Sequence, residues 1–153
     1  AVDVKADRLQ KGARVAERRG LTNIWFVRAR ADQLGELCEA GSLSQLWVTF
    51  PDPFPRQRSS GRRLTHPHFL TQYAKLLAEG GELLLKHDDH GFFCWSLEQL
   101  VVAGWQLREL TFDLHESEQL NEESDARIMT TYEQRWVGEG KVIGFVRAVG
   151  PSG

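Results

Sequence analysis

Leu46-Trp47-Val48-Thr49-Phe50-Pro51-Asp52-Pro53-Phe54-Pro55 begins as an apolar, β-branched and aromatic run and ends in three prolines around one acid. The run has the composition of a buried strand, bounded by Gly41 before it and Pro51 after it. The prolines fix the backbone and remove donors, so the chain can continue neither as sheet nor as helix. Asp52 is thereby held on a rigid turn at the carboxyl end of a strand. A lone Pro-Asp-Pro is most often a stiff loop with an Asx-turn at its acid. Here the turn runs straight into Arg56-Gln57-Arg58-Ser59-Ser60-Gly61-Arg62-Arg63, four arginines in eight residues with Ser and Gly between them. Such a stretch suits phosphate contacts.

Working outward, strands and helices alternate. Upstream, Ala6, Leu9, Ala13 and Ala16 recur at helical spacing until Gly20, Ile24 to Val27 reads as a buried strand, and Leu34, Leu37 and Cys38 suggest a short helix. Downstream, Thr65 can cap a helix with the stripe Phe69, Leu70, Tyr73, Leu76 and Leu77. Gly80-Gly81 ends it before a strand over Glu82 to Lys86. Phe93, Leu97, Leu100 and Val101 mark a helix closed by Gly104, Trp105 to Phe112 a strand, Tyr132 to Val137 a helical turn, and Val142 to Val149 a last strand. Continuously apolar strands alternating with helices predict an α/β fold, a mainly parallel sheet with helices on both faces. Such sheets bind ligands beyond the carboxyl ends of their strands. The residues expected there are Asp3, Arg28 to Arg30, Asp52 and His87 to Asp89.

Length and composition fit one domain over residues 1–153, with 41% hydrophobic and 26% charged residues. No run reaches the roughly 20 apolar residues of a membrane span and no signal peptide is legible, so a cytoplasmic location is expected. Cys38 and Cys94 read as two isolated buried thiols. The net charge of −2 conceals a segregation: from Pro53 to Ala78 there is no acid beside Arg56, Arg58, Arg62, Arg63 and Lys75. From Glu109 to Ala126 there are seven acids and no Lys or Arg, which reads as a solvated acidic loop. Trp25, Trp47, Trp95 and Trp105 lie on apolar runs and are expected in the core. Trp136 either stacks a base or packs beside Tyr132, and His66 and His68 read as surface residues. His87-Asp88-Asp89-His90 could suggest a metal, but four consecutive residues point in alternating directions, and no metal is expected.

Thr49-Phe50-Pro51-Asp52-Pro53-Phe54-Pro55, the run ending Arg62-Arg63-Leu64, the strand-end Asp88 and Thr130-Thr131-Tyr132-Glu133 occur in an order that resembles the bacterial tRNA (guanine-N7-)-methyltransferases. The resemblance covers nearly the whole chain. It implies a Rossmann-like S-adenosylmethionine-dependent methyltransferase fold and transfer of a methyl group from that cofactor to N7 of a guanine in the tRNA variable loop. It further implies that Asp3 holds the cofactor ribose and that Asp52 stands between cofactor and guanine. Arg56, Asp88, Thr130, Thr131, Tyr132 and Glu133 would bind substrate, and Arg58, Arg62 and Arg63 would contact RNA. Where family members often carry an acid for the adenine, the nearest equivalent in this chain is Arg30, with Asp32 two residues on; Arg30 is the cofactor-binding candidate there, and how the adenine is held is left open.

Guanine N7 carries a lone pair and no proton, so its attack on a sulfonium methyl needs no general base; positioning and charge do the work. The methylated purine is cationic, which suits a nearby carboxylate, and carboxylates also accept from guanine N1 and N2 hydrogens. Two rival readings exist. An amino-methyltransferase acting on exocyclic base nitrogens has an Asp/Asn-Pro-Pro-aromatic loop, whose second proline is missing here. A non-catalytic RNA-binding remnant would keep the arginine loop without holding cofactor. The family's glycine-rich turn after the first strand has no counterpart in these residues, which begin Ala1-Val2-Asp3 and read as an N-terminally truncated fragment. Weak S-adenosylmethionine binding by the isolated chain is the matching expectation.

Overall fold

The computed structural model describes residues 1–118 and 120–151, which form two compact units, one over Ala1–Glu39 and one starting at Ala40. The first contains β1 (Val2–Asp3), α1 (Ala6–Arg18), β2 (Val27–Arg28), a 3-10 turn (Ala31–Gln33) and α2 (Leu34–Leu37). β1 and β2 pair in parallel, with Asp3 opposite Arg28. The glycine expected to end α1 does so: Gly20 takes φ +65° and the Leu21 N–H returns to the Ala16 carbonyl at 3.0 Å. The strand expected over Ile24 to Val27 is displaced to Val27–Arg28. Phe26 takes the inward position, its ring so near Gly12 that a Cβ there would lie 2.6 Å from it. Alternation along the extended chain turns Trp25 outward, 74% exposed, so it is not a core residue.

The second unit contains β3 (Leu43–Thr49), α3 (Pro67–Leu76), β4 (Leu77–His87), α4 (His90–Val102), β5 (Gln106–Thr111), α5 (Thr131–Gly138) and β6 (Gly144–Val149). Its sheet has the order β3-β4-β6-β5. β3 and β4 are parallel, whereas β6 runs antiparallel to β4 and β5 between them. Three of the four strands therefore share one direction, as an α/β reading predicts. The insertion of the last strand is not legible in the sequence, because strand composition carries no information on order. Leu83, Leu84 and Leu85 of β4 and Phe145, Val146 and Ala148 of β6 are at most 1% exposed, so the central pair is covered on both faces.

Two local expectations change. α3 is capped by His66, whose Nδ1 accepts from the His68 N–H at 3.5 Å, with Pro67 in the first turn where its missing donor costs nothing. Thr65 points inward instead. It is fully buried and donates to Ser96 Oγ at 2.7 Å, because the Ser96 hydrogen already goes to the Phe92 carbonyl. The acidic stretch is not merely a solvated loop. Leu114, Leu120 and Ala126 enter the core with Leu84, Ile143 and Phe145. The Arg127 guanidinium donates to the carbonyls of His115, Ser117, Leu120 and Asn121, which ties the segment down. Trp105 is buried as expected, while Val101, expected on the apolar stripe of α4, is 60% exposed.

Candidate active site

The turn carrying Asp52 leaves the end of β3 through two non-glycine residues in the left-handed region, Phe50 at φ 49° and Phe54 at φ 40°. Residues held there cost on the order of 1–3 kcal/mol each and persist only where their surroundings over-determine them. The surroundings do so. The Phe50 N–H donates to the Lys86 carbonyl at 3.0 Å. The Phe54 N–H donates to Asp52 Oδ1 at 3.1 Å, the Asx-turn that the sequence suggests. Arg63 then closes the far side: its Nε donates to the Pro53 carbonyl at 3.0 Å, its Nη2 to that of Phe54 at 3.0 Å, and its guanidinium lies 4.4 Å from the Trp95 ring. Asp52 itself remains exposed.

His87, at the end of β4, supplies the fourth brace. Its Nε2 lies 2.8 Å from the Pro51 carbonyl and its Nδ1 2.8 Å from the Asp89 N–H. A carbonyl can only accept and a backbone N–H can only donate, so the ring is neutral with its proton on Nε2. Burial holds the His87 pKa below the ordinary imidazole value, against the opposing pull of the Pro51 carbonyl and of Asp88, Asp89 and Asp52. Next along the chain, Asp88 is 9% exposed at its side chain and pairs through Oδ2 with Lys141 Nζ at 3.1 Å. Asp89 caps α4, its Oδ1 accepting from the Phe92 N–H at 2.7 Å. A cavity of about 240 Å³ lies beside these groups, lined by Pro53, Pro55, Arg63, Asp89, Gly91 and Phe92.

The Thr130–Glu133 segment begins α5 as a capping box: Thr130 Oγ1 accepts from the Glu133 N–H at 3.1 Å and Glu133 Oε2 accepts from the Thr130 N–H at 3.3 Å. Tyr132 packs 5.1 Å from the Phe50 ring and 5.3 Å from the Trp136 ring. Lys141 Nζ sits 3.4 Å over Trp136 while it holds Asp88, so the Asp52 turn, the Asp88 corner and α5 meet through one chain of contacts. Trp136 is thus a packing residue beside Tyr132. Glu133 is fully buried, its oxygens taken by Lys86 Nζ at 3.1 and 3.3 Å and by His115 Nε2 at 2.8 Å. The sequence points to Glu133 as a substrate contact, whereas the structure gives its carboxylate to Lys86, His115 and the cap.

Lys86 and His115 escape sequence reasoning, and no local signal could find them, since they meet Glu133 only in the folded unit. The arginine run also divides. Arg56 and Arg58 are exposed around the 3-10 segment Gln57–Arg62, and Arg62 lies with its guanidinium 5.0 Å from the Phe54 ring. Arg63 is 7% exposed and spends its donors on the turn, so it does not share the outward placing of its neighbours. In the first unit, Asp3 ends β1, accepts from the Lys5 N–H at 2.9 Å and lies 3.7 Å from Arg8, a loose pairing that leaves acceptor capacity. Arg30 is engaged in a two-pronged pair with Asp32, Nε to Oδ1 and Nη2 to Oδ2 both at 3.1 Å, and that bond raises its pKa. Among the described residues no group of three or more His, Cys, Asp or Glu could hold a metal, and no helix is long and apolar enough to cross a membrane.

Comparison with known proteins bears on this geometry. Solved structures share the fold over 99% of this chain: a 16S rRNA methyltransferase, KamB, at TM-score 0.66 with 18% identity and 76% of its own length covered. An rRNA methylase from Streptococcus thermophilus follows at 0.61 with 13% identity and 72% of its length covered. In sequence, the chain is 38% identical over 79% of its length to a tRNA (guanine-N(7)-)-methyltransferase of Lachnoclostridium phytofermentans and covers 55% of that protein. It is 35% identical over 97% of its length to one of Brevibacillus brevis and covers 67% of it. The chain thus spans between about half and two thirds of the length of these curated relatives. The family described as "Putative methyltransferase" matches residues 1–145. With a Rossmann-like α/β fold and relatives of one name across nearly all its residues, the chain belongs to this methyltransferase family, that of the bacterial tRNA (guanine-N7-)-methyltransferases.

Proposed function

We propose that this chain carries the guanine-facing part of an S-adenosylmethionine-dependent enzyme that methylates N7 of guanine in tRNA, both units belonging to one methyltransferase domain. The observation that supports this most directly is the placing of Asp52: an exposed carboxylate on a strained, four-times braced turn at a strand end, next to outward arginines. A carboxylate fixed in advance meets developing positive charge without a cost of reorganisation. The names of the relatives agree with it.

The cofactor's contribution is a methyl group on a positively charged sulfur. By donor chemistry, Asp3 at the end of a parallel strand fits ribose hydroxyls, since its carboxylate is only loosely paired. Arg30, locked to Asp32, presents no free carboxylate for an adenine amine and would serve instead through the flat face of its guanidinium. In the second unit, Asp52 stabilises the purine as it becomes cationic, and Asp88 accepts from the guanine N1 and N2 hydrogens with the oxygen that Lys141 leaves free. Thr131 and Tyr132 border the base, with Thr130 and Glu133 fixing where they stand. Arg56, Arg58 and Arg62 meet phosphates.

Asp52→Asn tests this reading, because asparagine keeps the Asx-turn to the Phe54 N–H and removes only the charge. Removing a recognition contact of about 1–3 kcal/mol predicts a rate lower by roughly tenfold to a hundredfold. The readout is 7-methylguanosine in tRNA by mass spectrometry, which also separates N7 from exocyclic products. An undiminished rate would remove Asp52 from the chemistry, and products at N4 or N6 would favour the amino-methyltransferase.

A further inference from the structure

The His87 ring is 3% exposed and lies between two loops whose acids serve the proposed reaction. On one side its Nε2–H reaches the Pro51 carbonyl, immediately before Asp52; on the other its Nδ1 receives the Asp89 N–H, immediately after Asp88. Aromatic rings hold it in place, Phe92 at 4.4 Å and Phe50 at 6.4 Å between centroids. Nothing in the chemistry of N7 methylation requires a histidine here, and its nitrogens both point to backbone rather than to open space.

We propose that neutral His87 is the positioning residue that sets the distance between the Asp52 turn and the Asp88–Asp89 corner, and so aligns the base-facing acids with one another. The inference rests on the methyltransferase reading for its effect on rate, but the bridge itself does not. Its two hydrogen bonds specify one state of the ring. A proton on Nδ1 would set that nitrogen against the Asp89 N–H, donor facing donor, and release the corner. The charged groups facing the ring are the carboxylates of Asp52, Asp88 and Asp89, with Asp88 Oδ1 3.8 Å from Nδ1, while Lys141 offsets Asp88 from its other oxygen. Lys86, the preceding residue of β4, turns to the opposite face and its Glu133 partner. Burial outweighs the three acids and keeps the ring neutral below the pH at which a free imidazole charges. The alignment is therefore complete above about pH 6.5 and is lost as pH falls through the lowered value.

Two variants divide the bridge. His87→Asn can accept from the Asp89 N–H at the Nδ1 position but cannot reach Pro51; His87→Gln can reach Pro51 but leaves Asp89 unpaired. Neither titrates. In the unmodified protein, nitrogen NMR should show the Nε2–H tautomer and its persistence below pH 6.5. Hydrogen exchange of the Asp89 amide should stay slow in the Asn variant and quicken in the Gln variant. With tRNA, both variants should lose roughly tenfold to a hundredfold in kcat with little change in KM for tRNA, as misalignment predicts. Both should also lose the acid limb of the unmodified protein's pH profile. An Nδ1–H or charged ring at neutral pH overturns the proposal. So does an unmodified protein that forms 7-methylguanosine while both variants keep its rate and its acid limb. If the unmodified protein forms no 7-methylguanosine, the functional reading falls, and tautomer and amide exchange alone decide the bridge.

Discussion

Removing the Lys86 ammonium should cost more stability than any exposed charge in the chain. Lys86 is 2% exposed at its side chain and Glu133 fully buried, and the ammonium divides its donors between both Glu133 oxygens and the Ile128 carbonyl at 2.9 Å. Lys86→Met keeps the bulk of the stem and deletes the charge, which leaves the Glu133 carboxylate buried with only His115 and the Thr130 N–H. Breaking one side of a buried pair costs about 3–5 kcal/mol. A domain's whole stability is about 5–15 kcal/mol, so urea unfolding should show a large fall in midpoint at nearly constant slope. The second half of the reasoning is the repair. Glu133→Gln on the Lys86→Met background removes the stranded charge and keeps a capping box, its one amide oxygen accepting from the Thr130 N–H, since Gln serves as well as Glu at that place, while its NH2 can donate to a neutral His115 ring. The double variant should regain most of the loss. Lys86→Met within about 1 kcal/mol of the parent would show that water reaches the pair. A double variant as unstable as the single would show that packing, not the unpaired charge, set the cost.

Other outcomes follow from the geometry of the turn and the sheet. Arg58→Gln with Arg62→Gln should weaken tRNA binding and flatten the dependence of log affinity on log salt by about 0.7 for each phosphate no longer neutralised. A binding titration at several salt concentrations in which the slope stays unchanged would remove these residues from the RNA surface. Arg63→Gln should leave that slope nearly intact and instead quicken hydrogen exchange at the Phe54 amide, because its donors hold the turn. Gly144→Ala should lower the melting temperature, since the added Cβ would lie 2.7 Å from the Phe93 ring; overpacking of this kind costs about 1–3 kcal/mol, and an unchanged melting curve would mean that Phe93 yields freely.

What the sequence reveals and what it hides differ by the range of the interaction. The Asp52 turn is legible because three prolines act on their own neighbours, and Gly20 and Gly104 end their helices because a left-handed φ is a property of one residue. Thr130 and Glu133 are legible as a segment but not in role: their spacing marks a capping box, while the burial of Glu133 depends on Lys86 and His115, far off in the chain. Arg62 and Arg63 are alike in sequence and unlike in place, one over the Phe54 ring and one under the turn, because adjacent side chains leave the backbone in different directions. Trp25 misleads because its hydrophobicity announces burial, and only the approach of Phe26 to Gly12 decides which neighbour is turned in.

The antiparallel insertion of β6 between β4 and β5 bears on synthesis. A ribosome releases β3, β4 and β5 in that order, yet β4 and β5 lack the strand that joins them until Gly144–Val149 has left the exit tunnel and Val149 can pair with both Glu82 and Gln106. Until then two strand edges, one of them the leucine-rich β4, wait unpaired, which exposes the nascent chain to association with its neighbours. A chain without Gly144–Val149 would leave the sheet without its middle.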